Sequence, residues 1–263
     1  MTANSAISWT DHTFSPWWGC ARISPGCRMC YADSVASRWG NERLWRRHGE
    51  RRPMSDATWR NPVRWNREAD AAGRPALVFC ASMADVFEDR RDLDASRDRL
   101  WSLIDETPWL VWQLLTKRPE NAAAMVPWVD VWPSNVWIGA SVEDQRRADE
   151  RIPVLRMLPA AVRFLSVEPL LEPVRLDLDG IDWAITGGES GARARLCEVD
   201  WMRSVRDQCA EADVLLWVKQ LGTRWARSSG HRGKGVSAGQ KPSLWPADLR
   251  IQQLPDLRVE AVV

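Results

Sequence analysis

Val162-Arg163-Phe164-Leu165-Ser166-Val167-Glu168-Pro169 carries the pattern that decides the fold. An apolar run of strand length gives way to Ser, Glu and Pro. The pattern recurs along the chain: the runs 77–81, 109–115, 136–140, 181–185 and 214–218 are also apolar on both faces. Continuous apolar runs of this length are the signature of parallel strands covered on both sides. Spacings of roughly 20 to 35 residues leave room for a crossover helix each time. Candidate helices are 31–39, 94–105, 118–126, 143–151 and 199–211, the last with Asp200 as its cap. With one further strand before Cys20, the chain reads as α/β, a partial TIM-like barrel of six or seven βα units.

The strand exits narrow the reading further. They are Ser82-Met83-Ala84-Asp85, Thr116-Lys117-Arg118, Ser141-Val142-Glu143-Asp144, Ser166-Val167-Glu168-Pro169, Thr186-Gly187-Gly188-Glu189-Ser190 and Lys219-Gln220. In a β/α barrel such exits share one rim, where active sites are assembled. Ordinary helix capping explains one or two polar turns of this kind. Six in register favour a site.

Near the N-terminus, Cys20, Cys27 and Cys30 form Cys-x6-Cys-x2-Cys on a loop that also holds Pro25 and Gly26. Three thiolates on one loop can hold three irons of a cuboidal cluster and leave the fourth open. Structural zinc wants four protein ligands, usually as spaced pairs, so His12 or Cys80 would have to complete such a site. Cys80, Cys197 and Cys209 read as small buried hydrophobes.

Composition bounds the function classes. The chain has 263 residues and a net charge of +1, so no global field draws it to nucleic acid or membrane. Only four of the 36 basic residues are Lys, and 18 Trp stand against one Tyr. Tryptophan brings large apolar area with a single donor, suited to the core or to stacking on a flat substrate. No apolar run has the length of a membrane span, and no basic-then-apolar leader precedes Ser8. A cytoplasmic chain without membrane contact is expected, and in that compartment six Cys are a poor disulfide framework.

Two regions fall outside the repeat. Residues 40–75 interleave Arg43, Arg46, Arg47, Arg51 and Arg52 with Trp45, Trp59 and Trp65, and Pro53 and Pro62 are expected to break regular structure. Such a segment either binds a phosphate backbone and stacks bases or is a solvated insertion pinned by its tryptophans. Residues 223–243 read as a mobile loop, and the tail after Pro246 as an extension packed on the barrel. The division expected is therefore a barrel over 1–222, with a cluster loop at 20–30 and the insertion at 40–75, followed by loop and extension over 223–263.

Taken in order, Ser24-Pro25-Gly26-Cys27 with Cys30-Tyr31-Ala32, Leu115-Thr116-Lys117-Arg118-Pro119, Ser141-Val142-Glu143-Asp144, Ser166-Val167-Glu168-Pro169-Leu170 and Gly187-Gly188-Glu189-Ser190-Gly191 resemble a "phage protein" family of unknown function, found in phages and bacteria and itself similar to radical SAM enzymes. The resemblance spans nearly all of residues 7–222. It implies a partial barrel of the radical SAM type, a 4Fe-4S cluster on Cys20, Cys27 and Cys30, S-adenosylmethionine and an external electron donor. Three features depart from the radical SAM pattern. The first cysteine gap is six residues rather than three, Met29 and Tyr31 exchange the usual places around Cys30, and Gly187-Gly188-Glu189 comes four strands after the exit it normally occupies. On this resemblance Gly187 and Gly188 let backbone approach the cofactor, and Glu189 or Asp85 holds its amino group or ribose hydroxyls. Lys117 and Lys219 meet a carboxylate, Glu143 and Glu168 bind cofactor or substrate, and Ser82, Ser141 and Ser166 complete the rim. No residue is assigned to catalysis. The expected activity is hydrogen abstraction from a nucleotide, nucleic acid or peptide. The alternatives are a nucleic-acid-binding protein with a structural zinc site and a SAM- or nucleotide-binding barrel that uses no radical.

Overall fold

The computed structural model describes residues 5–257, so residues 1–4 of the expected barrel and 258–263 of the expected extension lie outside the described residues. β1 (His12–Phe14) is followed by a short antiparallel ribbon of β2 (Trp17–Trp18) and β3 (Arg52–Pro53), with α1 (Tyr31–Ser37) between them. α2 (Asp56–Ala71) leads into β4 (Ala76–Cys80), α3 (Asp94–Asp105), β5 (Leu110–Thr116), α4 (Ala122–Met125), β6 (Val136–Ser141), α5 (Gln145–Arg156) and β7 (Val162–Val167). β8 (Trp183–Gly187), α6 (Val199–Glu211), β9 (Leu215–Gln220) and α7 (Thr223–Ser228) follow. Seven parallel strands lie in the order β1-β4-β5-β6-β7-β8-β9 and curl into a half-barrel. All six apolar runs are strands, and the seventh, β1, lies before Cys20 as expected.

Side chains alternate across this sheet with period two. Val78 and Cys80, Trp112 and Leu114, Ile138 and Ala140, and Leu165 and Val167 pack outward into the main core. Leu77 and Phe79, Val111, Trp137, Phe164, Trp183, Ile185 and Trp217 form a separate inner cluster with Trp9. Trp9 packs on Phe79 and Trp183 at ring-centroid distances of 4.7 and 6.0 Å, so the N-terminal segment plugs the floor of the half-barrel. Gly139 leaves room for that plug, since a Cβ there would stand 2.4 Å from the Phe164 ring. Two residues further along the inward rows the side chains turn polar, giving Lys117, Ser141, Ser166, Glu168 and Lys219. The inner face is thus aromatic below and polar at the strand exits.

Several expectations are corrected. Pro62 does not break the chain: it lies inside α2, whose buried face of Trp59, Pro62, Trp65 and Ala69 repeats at helical spacing. The missing hydrogen bond and ring clash cost about 3 kcal/mol, and burying two indoles offsets a penalty of that size. No helix joins β7 to β8 among the described residues, because Pro169 and Pro173 fall in that connection. Asp200 sits inside the first turn of α6 and pairs with Arg203, while Glu198 takes the cap position without a side-chain bond. Residues 223–243 begin as α7 and return to the barrel through Leu221 N–H to Gly239 O and Gly222 N–H to Ala238 O, both 3.0 Å. The tail covers the β9 edge, where Val218 N–H donates to Ile251 O and Gln253 N–H to Leu216 O.

The inner plug should dominate stability. Trp183 is fully buried among Trp9, Trp137 and Phe164, and its indole N–H donates to Gln253 O at 2.9 Å. Trp183→Ala is expected to cost about 3–5 kcal/mol, read as a lower urea midpoint with an unchanged slope.

Candidate functional site

Above the aromatic plug, the strand exits and the cysteine loop enclose a cavity of about 460 Å³. Cys20, Cys27 and Cys30 all line it, together with Ser82, Asp85, Lys117, Ser141, Ser166, Glu168, Glu189 and Lys219. Trp9 forms part of its floor, and Tyr31 and Trp45 stand on the wall. Of the residues expected at the site, Glu143, Gly187 and Gly188 are not on the cavity wall.

The cysteine loop has little regular structure, so its backbone polar groups need side-chain partners. Arginine–carboxylate pairs rooted at the strand exits supply them. Glu88 is held by Arg51 at 2.6 Å, and its Oε1 accepts the Ala21 N–H at 3.0 Å. Arg118 bonds Asp85 at 2.8 Å, donates to Ala21 O at 2.8 Å and stands 3.7 Å from the Cys20 sulfur. Glu143 pairs with Arg151 at 2.9 Å and accepts the Gly26 N–H at 3.2 Å. Arg195 pairs with Glu189 at 2.6 Å and donates to Pro25 O at 3.0 Å. Four pairs thus fix the loop at both ends of its first gap.

These bonds change what the exit residues can do. Asp85 accepts from Thr116 Oγ1, the Lys117 and Phe87 N–H groups and Arg118, which leaves it no free oxygen to offer a ligand. Glu189 accepts three bonds from Arg195, two on Oε2 and one on Oε1. Gly188 serves the fold: a Cβ there would stand 2.5 Å from Leu221 O, so the close approach it permits is to the chain leaving β9. Facing the cavity, Glu168 accepts two bonds from Lys219 Nζ, at 2.7 and 2.8 Å. Lys117 lines the cavity and makes no ion pair within 4.0 Å among the described residues.

Burial, reinforced by Asp85 and opposed by Arg118, pushes the Cys20 thiol up to about 12, and burial also raises Cys30. Both are thiols at neutral pH until a cation displaces the proton. Among the described residues, no three His, Cys, Asp or Glu side chains are gathered as a metal cage. The donor set still fits a cluster, because three sulfurs share one cavity and Arg118 stands ready to offset thiolate charge at Cys20. Neither His12 nor Cys80 stands beside those sulfurs to complete a four-ligand zinc site. The candidate fourth ligands lie elsewhere: His12 stacks on Trp65 at 4.3 Å, and Cys80 is fully buried outside the cavity. Cys197 and Cys209 are buried as well.

Reasoning from the sequence missed the arginines. Arg118 directly follows Lys117 in an exit already singled out, which is a usable signal. Arg51, Arg151 and Arg195 lie in helical or irregular stretches where nothing local marks a buried partner.

Glu143 gives this clamp a pH signature. Burial alone would raise its carboxyl, but Lys117, Arg151 and bonds from Ser24 and Gly26 outweigh it and hold the group below the ordinary value of 4.5. A depressed folded-state value adds stability above 4.5 that is lost as pH falls through the folded value. Glu143→Gln leaves Arg151 uncompensated at a cost of about 3 kcal/mol near neutral pH. In urea titrations that gap should start to shrink as pH drops below 4.5, where the unfolded chain takes up the proton, and close once pH passes the lower folded-state value, where the native carboxyl is itself neutral.

No curated protein and no solved structure matches this chain. One family model, described as "Protein of unknown function (DUF5131)", matches residues 4–243, a span that takes in the cysteine loop, all seven strands of the half-barrel and α7, and the chain belongs to that family.

Proposed function

We propose that this cavity holds a 4Fe-4S cluster through Cys20, Cys27 and Cys30 beside S-adenosylmethionine, and that the protein is a radical SAM-like enzyme supplied by an external electron donor. One observation carries the proposal. Of six cysteines, the three on the N-terminal loop, and no others, line the cavity at the strand exits, without a fourth sulfur or an imidazole beside them. When bound, such a cluster supplies the electron that cleaves a sulfonium reductively, the source of hydrogen-abstracting power.

The chain's own residues orient and shield. Arg118 offsets negative charge at the Cys20 sulfur. Lys117 at the exit of β5 and the Lys219–Glu168 pair bridging β9 and β7 present charges of both signs to one cavity, complementary to the ammonium and carboxylate of an amino acid group. Trp9 closes the floor, and Trp45 and Tyr31 wall the cavity on the loop side, so bulk water is held back from the inner chamber. Tyr31 is fixed there by its hydroxyl, which donates to Ser82 O at 2.6 Å.

Anaerobic reconstitution with iron and sulfide should give a brown protein with about four irons per chain. Adding S-adenosylmethionine and dithionite should release 5′-deoxyadenosine. Cys20→Ala, Cys27→Ala and Cys30→Ala should each lose both properties, whereas Cys197→Ala, buried away from the cavity, should keep them. A colourless, zinc-loaded protein that takes up no iron overturns the proposal.

A further inference from the structure

The cavity is capped by segments of unusual charge. Residues 22–52, 190–197 and 223–241 together hold fifteen Arg and Lys against three Asp and Glu, although the whole chain is balanced at +1. The remainder of the protein is correspondingly acidic. Each segment also reaches the cavity: Arg22, Tyr31 and Trp45 line it from the first, Ser190 from the second and Gln240 from the third. The second and third are joined by Arg227, which donates to Ala192 O at 2.9 Å. The second is joined to the cysteine loop by Arg195.

Within this cap, a few arginines hold the fold and most do not. Arg51 and Arg195 are committed to carboxylates, as described above, and Arg22 pairs with Asp33. By contrast, Arg28, Arg38, Arg43, Arg46, Arg47 and Arg232 are exposed and have no carboxylate within 4.0 Å among the described residues. Flat surfaces lie between them. Trp39, at the end of α1 and next to Arg38, is 75% exposed, and Tyr31 on the cavity lip is 46% exposed. Arg52 lies over the Trp18 ring at 4.5 Å. Unpaired guanidinium groups on segments that reach one cavity, interleaved with exposed aromatic faces, are the recognition chemistry of a single-stranded nucleic acid: phosphates are held by charge and bases by stacking. A uniformly basic protein would show only a diffuse field. Here the excess of positive over negative charge is concentrated in three segments that each reach one opening, so a polyanion is oriented as well as attracted.

We infer that the substrate is a single-stranded nucleic acid whose backbone lies along this arginine rim, with a base stacked at Trp39 and the adjacent nucleoside presented to the cavity. This names the substrate class for the site proposed above and rests on that proposal for its chemistry; the binding itself does not require the cluster.

Fluorescence anisotropy of the full chain with a labelled single-stranded RNA, and with DNA of the same sequence, tests the inference. At least one of the two should bind, with affinity falling linearly in log–log plots against salt. Arg43→Ala/Arg46→Ala/Arg47→Ala should weaken binding at least tenfold and reduce the salt slope by about 2, since each lost single-strand phosphate contact removes about 0.7. Trp39→Ala, or an abasic strand of equal length, should weaken it about fivefold or more. Arg60→Ala/Arg67→Ala, which removes two exposed arginines of α2 with no carboxylate within 4.0 Å among the described residues, should change nothing. Failure to bind either strand, equal affinity for the abasic strand, equal loss in the helical-side control, or equally effective competition by polyglutamate each overturns the inference. Binding as described by a protein that takes up no iron would sink the proposed chemistry and leave this inference standing. Iron uptake and 5′-deoxyadenosine release without nucleic acid binding would do the reverse.

Discussion

The site depends on buried guanidinium–carboxylate pairs that hold the cysteine loop against the rim of the half-barrel. A loop with few backbone hydrogen bonds of its own has no intrinsic position. Here the N–H groups of Ala21 and Gly26 and the carbonyls of Ala21 and Pro25 are each met by a charged side chain based at a strand exit. Such pairs are poor sources of net stability, because removing both charges from water costs about as much as their attraction returns. What they provide is location. Arg51 and Glu88 have almost fully buried side chains, and so do Arg118 and Asp85. Moving either end of the loop would leave a charge uncompensated in the interior.

This constraint divides the rim residues into two groups. Asp85, Glu88, Glu143 and Glu189 turn to arginines and backbone N–H groups, and they hold the loop. Lys117, Ser141, Ser166 and the Glu168–Lys219 pair continue the inward rows of their strands and face the cavity. Below them the same rows are filled by Trp137, Phe164, Trp183 and Trp217. The half-barrel therefore has three levels: an aromatic floor, a polar chamber and a clamped loop bearing the thiols. Period-two alternation in the strands generates the first two levels. The third requires contacts between residues more than 30 positions apart.

That difference accounts for what the sequence makes legible. Strand runs announce themselves because burial on both faces demands apolar residues at consecutive positions, and all six runs form strands. Helix α2 is harder to see because Pro62 is a local breaker, and only its setting within the stripe of Trp59, Trp65 and Ala69 shows that burial prevails. Membership of the cavity is legible for the cysteines and most exit residues, since β/α architecture gathers strand ends whatever the loops do. The direction each carboxylate faces is not legible. It depends on whether an arginine such as Arg151, eight residues away on a helix, or Arg51, on the far side of the loop, completes a buried pair. Gly188 illustrates the same limit: a glycine next to a glutamate suggests a ligand cradle, whereas the backbone it accommodates is the chain's own.

Arginine plays opposite parts in the two layers of the cap, and solvation decides which. At the base of the loop a guanidinium is cut off from water, so a carboxylate must lie within hydrogen-bond reach or the structure would not tolerate it. At the outer rim the same group is hydrated, requires no partner to be stable and adds little to folding with or without one. Selection for stability alone would let those outer positions scatter, with acidic residues mixed among them as on the outer helices, where Arg146 meets Glu150 and Arg206 meets Asp248. Instead, acidic residues are absent from 190–197 and 223–241 and few in 22–52. The three segments are far apart in sequence and each reaches this opening, so the depletion follows the opening rather than any one stretch of chain.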